Sequence, residues 1–440
     1  MIRAIVSAKD TSYRLSETTE AISADEASGW RITLMPEETY QSILGFGGAF
    51  TESACYNLHR VNAELRERAL QLYFDPQEGL GYTLGRVSIH GCDFSLSSYT
   101  YVTDDDKELK TFNIARDRQY VIPTILAASR LAQTDIAILA SPWTPPAFMK
   151  DNNSPIRGGH LLPEYADAWA RYFVRFIEEY ERAGIKIWGV TIQNEPAAVQ
   201  RWDSCIYSAE WERDFLKYHL GPTFQKFGKD HVNILVWDHN RDIIVDRVSP
   251  IFTDPEAARY AWGTAFHWYV SDAFVNVGTV HKLFPDKGLL FTEGCVEARP
   301  HLHDWTTGER YATQMIGDFS NWCQGYLDWN LFLDTLGGPN HVNNLCDAPI
   351  IIDVFPEKLI LQSSYYYIGQ FSRHVKPGAQ RIGSRCDAPT LSQIAFQNPN
   401  GEIVVLVLNK TENPESVVFF TPEKQAFVSL PRSLTTFIIT

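Results

Sequence analysis

Two glutamates in this sequence stand where a β-rich apolar segment gives way to polar or small residues. Glu195 lies in Gln193-Asn-Glu-Pro196, and Glu293 lies in Thr292-Glu-Gly294. A single glutamate in such a place often caps the helix that follows. Two of them suggest glycosidic chemistry, because cleavage of a glycosidic bond needs one carboxylic acid to protonate the leaving oxygen and one carboxylate to attack or activate water.

Three other segment ends carry residues that suit a carbohydrate site: Trp237-Asp-His239, His267-Trp-Tyr269 and Asp328-Trp-Asn330. Aromatic rings pack against the apolar faces of sugars, although large aromatics more often simply fill a core. The sequence leaves open whether His267 is a core histidine or a site residue. We expect Asp238 and Arg241 to form a structural ion pair.

Arg86 lies in a strand that is predicted to be buried. A buried charge needs a partner, so we expect a carboxylate beside this guanidinium, either a catalytic or a structural one. Arg86, His267 and Asp238 are therefore predicted as supporting residues.

Other motifs favour no further chemistry. Gly45-Phe-Gly-Gly48 lacks the third glycine of a dinucleotide-binding loop, no GK[ST] follows it, and we expect a tight turn at the end of the first strand. There is no G-x-S-x-G nucleophile elbow. His301-Leu-His303 lacks a third spaced ligand and is predicted to lie in a solvated loop. We therefore predict neither a metal nor an organic cofactor.

The composition excludes several classes of protein. The 440 residues carry a formal charge of −14, which disfavours binding to nucleic acid and unaided adhesion to anionic bilayers. No apolar run approaches the roughly 20 residues of a membrane-spanning helix. The seven cysteines include no CxxC pair, and no secretory signal is visible, so we expect a cytoplasmic protein, or a secreted one if the N-terminus was trimmed. Oligomerisation stays open.

The chain alternates between short β-rich runs and segments of helical periodicity. Eight such alternations predict a (β/α)₈ barrel, with a doubly wound open sheet as the alternative. The predicted barrel strands are residues 42–48, 82–90, 135–141, 187–193, 232–237, 262–266, 289–292 and 325–329. The predicted helices are residues 63–73, 117–131, 165–182, 210–219 and 311–322, with Gly184 as the stop of the third.

Beyond residue 365 the pattern changes to short strands with turns between them. Residues 393–396, 402–409, 416–420, 426–430 and 435–439 predict an antiparallel β-sandwich without helices. Residues 13–15 and 30–34 are strand-like too, and too few to form a core alone, so we expect them to join this sandwich. The predicted division is 1–38 for the N-terminal strands, 39–364 for the barrel and 365–440 for the sandwich.

An ordered set of motifs resembles family 30 of the glycoside hydrolases, the family of the glucosylceramidases. The resemblance covers nearly the whole chain and implies a barrel with a sandwich built from both termini. It also implies hydrolysis of β-glycosides with retention. The motifs are Gly45-Phe-Gly-Gly-Ala-Phe-Thr-Glu52, Cys92-Asp-Phe-Ser95, Ala140-Ser-Pro-Trp-Thr-Pro-Pro146, Gln193-Asn-Glu-Pro196, His267-Trp-Tyr269, Glu293-Gly-Cys295, Asp328-Trp-Asn330 and Gly337-Gly-Pro-Asn340.

The resemblance also implies residue roles. Glu195 resembles the acid/base and Glu293 the nucleophile, with a raised pKa expected for Glu195. The positions expected to bind the sugar or to border its pocket are Asp93, Trp143, Asn194, Tyr269, Trp329 and Asn344. The chain departs from the glucosylceramidase pattern at His341 and Asn343, where that pattern has Trp and Arg, so the aglycone stays open.

These inferences predict a retaining β-glycosidase that acts on terminal β-glucosyl units of a carbohydrate or glycolipid. A β-1,6-glucanase or a β-xylosidase is the alternative within the same family. A non-catalytic sugar-binding protein is the alternative outside it, although binding alone requires neither an acid nor a nucleophile.

Overall fold

A computed structural model describes residues 2–18, 21–22, 29–420 and 424–440 of the chain. The strands of these residues are β1 (Ile2–Ala8), β2 (Ser16–Thr18), β3 (Ala21–Ile22), β4 (Trp30–Ser42), β5 (Gly45–Ala49), β6 (Leu84–Ile89), β7 (Ala137–Pro142), β8 (Ile187–Thr191), β9 (Asn233–Asn240), β10 (Ala261–His267), β11 (Gly288–Glu293), β12 (Gly325–Asp328), β13 (Phe332–Asp334), β14 (Ile350–Val354), β15 (Glu357–Leu361), β16 (Gln380–Cys386), β17 (Leu391–Gln397), β18 (Ile403–Asn409), β19 (Glu415–Phe420), β20 (Lys424–Ser429) and β21 (Ser433–Ile439).

Most of the α-helices follow barrel strands. They are α1 (Glu52–His59), α2 (Ala63–Phe74), α3 (Val121–Ala132), α4 (Ala166–Arg182), α5 (Ala209–Phe215), α6 (Gly221–Lys226), α7 (Ile244–Phe252), α8 (Pro255–Ala258), α9 (Phe274–Leu283), α10 (Thr306–Ser320) and α11 (Ser363–Ser372). No helix of the described residues is long and apolar enough to cross a membrane.

The predicted barrel is confirmed. Strands β5 to β12 pair in parallel and close on themselves in the order β10-β11-β12-β5-β6-β7-β8-β9. Each strand is largely buried, because its outer face packs against helices and its inner face fills the barrel. The C-terminal ends of all eight strands therefore meet at one face, which is where a barrel of this kind holds its active site.

The glycines at 45–48 are part of strand β5 rather than a tight turn, so that prediction is wrong. Gly47 lies so close to β6 that a Cβ atom there would come within 2.0 Å of the Leu84 carbonyl oxygen. A glycine in a strand marks either a turn or a close approach of another backbone, and here it is the close approach. The glycines thus let the barrel close tightly at β5 and β6.

Helix α4 shows how the outer layer is built. Its spacing of apolar residues buries Trp169, Phe173 and Phe176 against the barrel, while charged residues face outward. Gly184 follows it with a φ of 87°, a left-handed conformation that favours glycine and ends the helix. The predicted stop is confirmed.

The sandwich domain is confirmed, and both ends of the chain contribute to it. Its strands form one curled sheet in the order β2-β1-β21-β18-β17-β16-β4-β19-β20-β3. Strand β1 pairs with β21 over its whole length, and β4 lies between β16 and β19. Arg432 joins this domain to the barrel through two bonds to Glu309 of α10, at 2.6 and 2.7 Å.

Several local predictions are wrong. Residues 13–15 do not form a strand, because the Tyr13 and Arg14 backbone N–H groups donate to the Thr11 and Ser16 hydroxyl oxygens and Leu15 has a left-handed φ of 53°; the strand is β2. A helix, α11, crosses residue 365, where no helix was expected. Strands β1 and β16 were missed, as was the small sheet of β13, β14 and β15.

The division of the chain at residues 38 and 364 stays a prediction. Strand β4 runs through residue 38, and α11 runs through residues 364 and 365. Gln370 of α11 donates to Ser7 of β1 and accepts from Thr436 of β21, so this helix contacts the sandwich directly. Its strong contacts with α10 tie it to the barrel as well.

Candidate active site

A cavity of about 270 Å³ opens at the C-terminal face of the barrel. This volume lies just below the range of roughly 300–1,000 Å³ that is typical of ligand pockets, so it suits a small ligand. The predicted site residues that line it are Asp93, Trp143, Asn194, Glu195, Tyr269, Glu293, Trp329 and Asn344. The structure thus brings together the residues that the sequence placed on separate segments.

Glu195 and Glu293 face each other across this cavity. An oxygen of each carboxylate and a ring nitrogen of His267 all lie within 4.8 Å of one another. Glu293 ends β11, while Glu195 follows β8 with a left-handed φ of 48°. That conformation is rare for a residue other than glycine, and its backbone N–H is fixed by a bond to the Asp238 carbonyl oxygen at 3.0 Å.

Arg86 is fully buried and connects three residues at the bottom of the site. Its guanidinium donates to Glu293 Oε2 at 2.5 Å, to Asp238 Oδ2 at 2.8 Å and to Asn194 Oδ1 at 2.9 Å. The predicted carboxylate partner of Arg86 is confirmed, and the structure shows two of them, Glu293 and Asp238. The planar fork of donors suits arginine to these three acceptors, since a lysine ammonium is a point charge without that fixed geometry.

The predicted ion pair between Asp238 and Arg241 is wrong. Asp238 points into the barrel toward Arg86 and His267, whereas Arg241 turns outward and pairs with Asp318 of α10 at 2.9 Å. Although burial alone raises the pKa of Asp238, the charges of Arg86 and His267 outweigh burial and hold that pKa well below its usual range. Asp238 is therefore a fixed negative charge beneath the site.

His267 belongs to the site and not merely to the core. Its Nε2 lies 3.0 Å from Asp238 Oδ1, and its Nδ1 lies 3.5 Å from Glu195 Oε1. Burial lowers the pKa of this imidazole, but the negative charges of Glu293, Asp238 and Glu195 outweigh burial and raise the pKa to about 9. His267 is therefore a cation at neutral pH.

The pKa of the acid/base candidate is not shifted in the predicted direction. Burial raises the pKa of Glu195, but contact with the cationic His267 and the neighbouring imidazole of His239 outweigh burial and lower it. Burial raises the pKa of Glu293 despite the opposing charges of His267 and Arg86. The prediction of a raised pKa for Glu195 is thus wrong here, because the histidines from β9 and β10 were not foreseen as its neighbours.

Tyr269 and Asn240 complete the setting of Glu293. The Tyr269 hydroxyl donates to Glu293 Oε1 at 3.0 Å, and the Tyr269 backbone N–H donates to Asn240 Oδ1 at 2.7 Å. Glu293 thus accepts bonds at both oxygens, from Arg86 and from Tyr269, and its orientation is fixed.

The wall beside the glutamates is aromatic and polar, as a sugar requires. The rings of Trp143 and Trp329 stack with centroids 5.3 Å apart, and Arg86 lies over both. Asp93 accepts a bond from Asn344 Nδ2 at 3.0 Å. Burial and the charges of Glu293 and Glu195 raise the pKa of Asp93 to about 7, against the lowering effect of that bond.

Seven lining residues were not predicted as site residues, although His239 stood at a predicted strand end and Cys295 in a motif. They are Gln200, Trp202, His239, Asn240, Cys295, Glu297 and Cys346. His239 and Asn240 follow Asp238 at the end of β9, so the strand-end rule could have found them. The loop residues Gln200 and Trp202 carry no such signal. The set Glu195, His267 and Glu293 has metal-ligand atoms, but two neighbouring cations, Arg86 and protonated His267, make it better suited to proton transfer.

Fold and site together define an enzyme that cleaves glycosidic bonds. Residues 43–375 match the model of the glycosyl hydrolase family 30 TIM-barrel domain, and residues 378–437 match that of the family 30 beta sandwich domain. The chain belongs to glycosyl hydrolase family 30.

Relatives within the family carry different names. The chain is 33% identical over 430 residues to a mouse (Mus musculus) lysosomal acid glucosylceramidase, covering 93% of this chain and 83% of the relative. It resembles the crystal structure of SrfJ from Salmonella typhimurium, with 36% identity, a TM-score of 0.92 and coverage of 100% and 99%. It also resembles an endo-β-1,6-glucanase structure, with 29% identity, a TM-score of 0.89 and coverage of 99% of both chains.

Proposed function

We propose that this protein is a retaining β-glycosidase that releases a terminal β-glucosyl unit by double displacement. The observation that carries the proposal is the close approach of Glu195 and Glu293 across one small cavity, within 4.8 Å between carboxylate oxygens. Retaining enzymes hold their carboxyl groups about 5–5.5 Å apart, whereas inverting enzymes leave roughly 6.5–9.5 Å for a water molecule.

In the first step Glu293 attacks the anomeric carbon. The C1–O bond to the aglycone breaks with its electrons going to oxygen, and that oxygen takes a proton from Glu195. Arg86 and Tyr269 hold the attacking carboxylate in place. In the second step Glu195 takes a proton from water, the water oxygen bonds to C1, and Glu293 leaves as a carboxylate.

The first step requires a proton on Glu195, although the histidines beside it favour its carboxylate form. A bound sugar displaces water from the open side of Glu195, which raises its pKa, while Glu293 keeps its donors Arg86 and Tyr269. Esterification of Glu293 then removes its charge and lowers the pKa of Glu195 for the second step.

The proposed sugar is glucose and the leading substrate class is a β-glucoside such as glucosylceramide. Support comes from Asp93, Trp143 and Trp329 on one wall and from the glucosylceramidase among the relatives. A β-1,6-glucanase is the second candidate, supported by the similarity to a glucanase structure over nearly the full chain.

Comparison of the rates of hydrolysis of different β-glycosides separates these candidates. We expect the purified protein to hydrolyse glucosylceramide in detergent and an aryl β-glucoside at comparable kcat/KM. Preference for a β-1,6-linked glucan by more than about tenfold, a difference of roughly 1.4 kcal/mol in transition-state binding, would instead assign the glucanase activity. Preference for an aryl β-xyloside would contradict the choice of sugar, and the Glu293→Gln variant serves as the inactive control.

A further inference from the structure

A second histidine faces Glu195 from the strand next to His267. His239 lies near the end of β9, and its Nε2 is 3.6 Å from Glu195 Oε1, the oxygen that His267 Nδ1 approaches at 3.5 Å. Its side chain is 13% exposed, and it lines the cavity beside Gln200 and Asn240. His239 is therefore placed at the acid/base and not at the nucleophile.

Packing, and not a hydrogen bond at Nδ1, holds the imidazole ring of His239 in place. It lies against Trp237 with ring centroids 5.0 Å apart, and Nδ1 is buried without a hydrogen-bond partner among the described residues. The neighbouring Trp237 and Asp238 have left-handed φ values of 73° and 53°, which turn the end of β9 so that His239 faces Glu195. An ordinary strand would alternate its side chains and send residues 238 and 239 to opposite faces.

The charged groups that face His239 are Glu195, His267, Asp238 and Asp242. Burial and the cation at His267 lower the pKa of His239, and the three carboxylates only partly oppose them. The acid/base thus lies between a cationic histidine, which is fixed by Asp238, and a neutral one. A neutral imidazole whose Nδ1 lacks a partner presents its N–H at Nε2, toward Glu195.

We propose that His239 is a positioning residue of the glycosidase reaction: its Nε2–H points at Glu195 Oε1 and stabilises the carboxylate form of that residue. The inference rests on the proposed function. At 3.6 Å the contact is longer than a hydrogen bond, and contacts of this kind tighten in the complex with substrate. The contact between His239 and Glu195 has opposite effects on the two steps of the reaction.

When Glu195 gives its proton to the leaving oxygen, the N–H of His239 stabilises the carboxylate that forms and so makes Glu195 a stronger acid. When Glu195 takes a proton from water, the same contact makes it a weaker base. His239 therefore favours the first step for aglycones that are poor leaving groups, and it slows the second step.

Three variants test this role. His239→Gln keeps an N–H at the reach of Nε2 but cannot titrate, while His239→Asn is too short to reach Glu195, and His239→Phe fills the ring volume without nitrogen. His231→Asn, at an exposed histidine far from the cavity, is the matched control. The measurement is the pH profile of kcat/KM on phenyl β-glucoside, beside kcat on 2,4-dinitrophenyl β-glucoside.

Loss of the N–H raises the pKa of Glu195, so the acid form persists to higher pH. We expect the alkaline limb of the pH profile of kcat/KM to shift to higher pH by about 0.5–1 unit in the Asn and Phe variants. We also expect their kcat/KM on the phenyl glucoside to be several-fold lower than that of the wild type. On the dinitrophenyl glucoside kcat is retained or increased. The Gln variant keeps the wild-type limb, as does the His231→Asn control.

An unchanged limb in both the Asn and Phe variants overturns the inference, and so does an equal shift in the Gln variant. If either His239→Asn or His239→Phe fails to fold, the other variant gives the same comparison. A wild-type protein without glycosidase activity would instead refute the proposed function, so the two failures are distinguishable.

Discussion

A carboxylate oxygen of Glu195 and one of Glu293 lie within 4.8 Å of each other, although the residues are 98 positions apart and leave different strands of the barrel. Both groups line one cavity, and the negative charge of Glu195 contributes to the raised pKa of Glu293. One small ligand can therefore contact both groups at once.

Substitution of Glu293 and substitution of Glu195 should affect activity differently. Glu293→Gln removes the nucleophile, and we expect turnover to fall to background on every substrate. Glu195→Gln removes the acid, so it should slow hydrolysis of phenyl β-glucoside by about 10²–10⁴-fold. It should leave the first step with 2,4-dinitrophenyl β-glucoside largely unchanged. Azide should accelerate the second step of the Glu195 variant and form a β-glucosyl azide. Equal losses on both substrates would contradict the assignment.

Arg86 should be needed for both stability and rate. Arg86→Lys leaves some of the contacts to Glu293, Asp238 and Asn194 unmade, so we expect the free energy of unfolding to fall by about 3 kcal/mol. We also expect kcat to fall by about 10²-fold, because the attacking carboxylate loses its orientation. Urea unfolding and steady-state kinetics measure the two effects.

Arg118→Lys is the matched control for that substitution, because Arg118 is exposed and pairs with Glu179 at 3.5 Å on the surface. Exposed pairs of this kind contribute roughly 0–1 kcal/mol. An Arg86→Lys protein as stable and as active as this control would show that the buried network is not needed.

The charge of His267 should make stability depend on alkaline pH. Its pKa of about 9 in the folded chain exceeds the ordinary unfolded value of about 6.5. The stabilisation is therefore complete below about pH 6.5 and is lost as the pH rises through 9, at about 1.4 kcal/mol per unit of pKa difference. We expect the difference in unfolding free energy between wild type and His267→Gln to shrink from pH 7 to pH 9.5. A difference that is constant with pH would contradict a charged His267.

Asp93 should bind the sugar as a carboxylate. Because its pKa is raised to about 7, it loses its charge as the pH falls through neutrality, and hydroxyl groups then lose their strongest acceptor. We expect KM to rise below pH 7 in the wild type. In Asp93→Asn, KM should be about 10–100-fold higher and insensitive to pH across this range. Asp106→Asn, at a partly exposed loop aspartate, is the control.

Much of the architecture was predictable from the sequence, because it depends on local patterns. Alternating strands and helices specify the barrel, and the strand-end rule places Glu195 and Glu293 at one face without any distance being known. The glycines at 45–48 were misassigned because a turn and a close approach of strands use the same residue. Residues 13–15 were misassigned because the Tyr13 and Arg14 N–H groups bond to nearby hydroxyl side chains and not to a neighbouring strand.

The charge pattern of the site was not predictable in the same way. That Arg86 needs a carboxylate follows from its burial, but the choice of Glu293 together with Asp238 depends on distances across the barrel between β6, β9 and β11. The pKa of Glu195 depends on His239 and His267, which come from two other strands. Apolar surroundings alone predict the wrong direction for this group.

The most direct test of the central claim is to inactivate the protein with 2,4-dinitrophenyl 2-deoxy-2-fluoro-β-glucoside and to identify the labelled residue by peptide mapping. We predict one fluoroglucosyl group per chain, attached to Glu293 and absent from the Glu293→Gln variant. A label on Glu195 or on any other residue, or turnover of the reagent without a covalent intermediate, would contradict double displacement at Glu293.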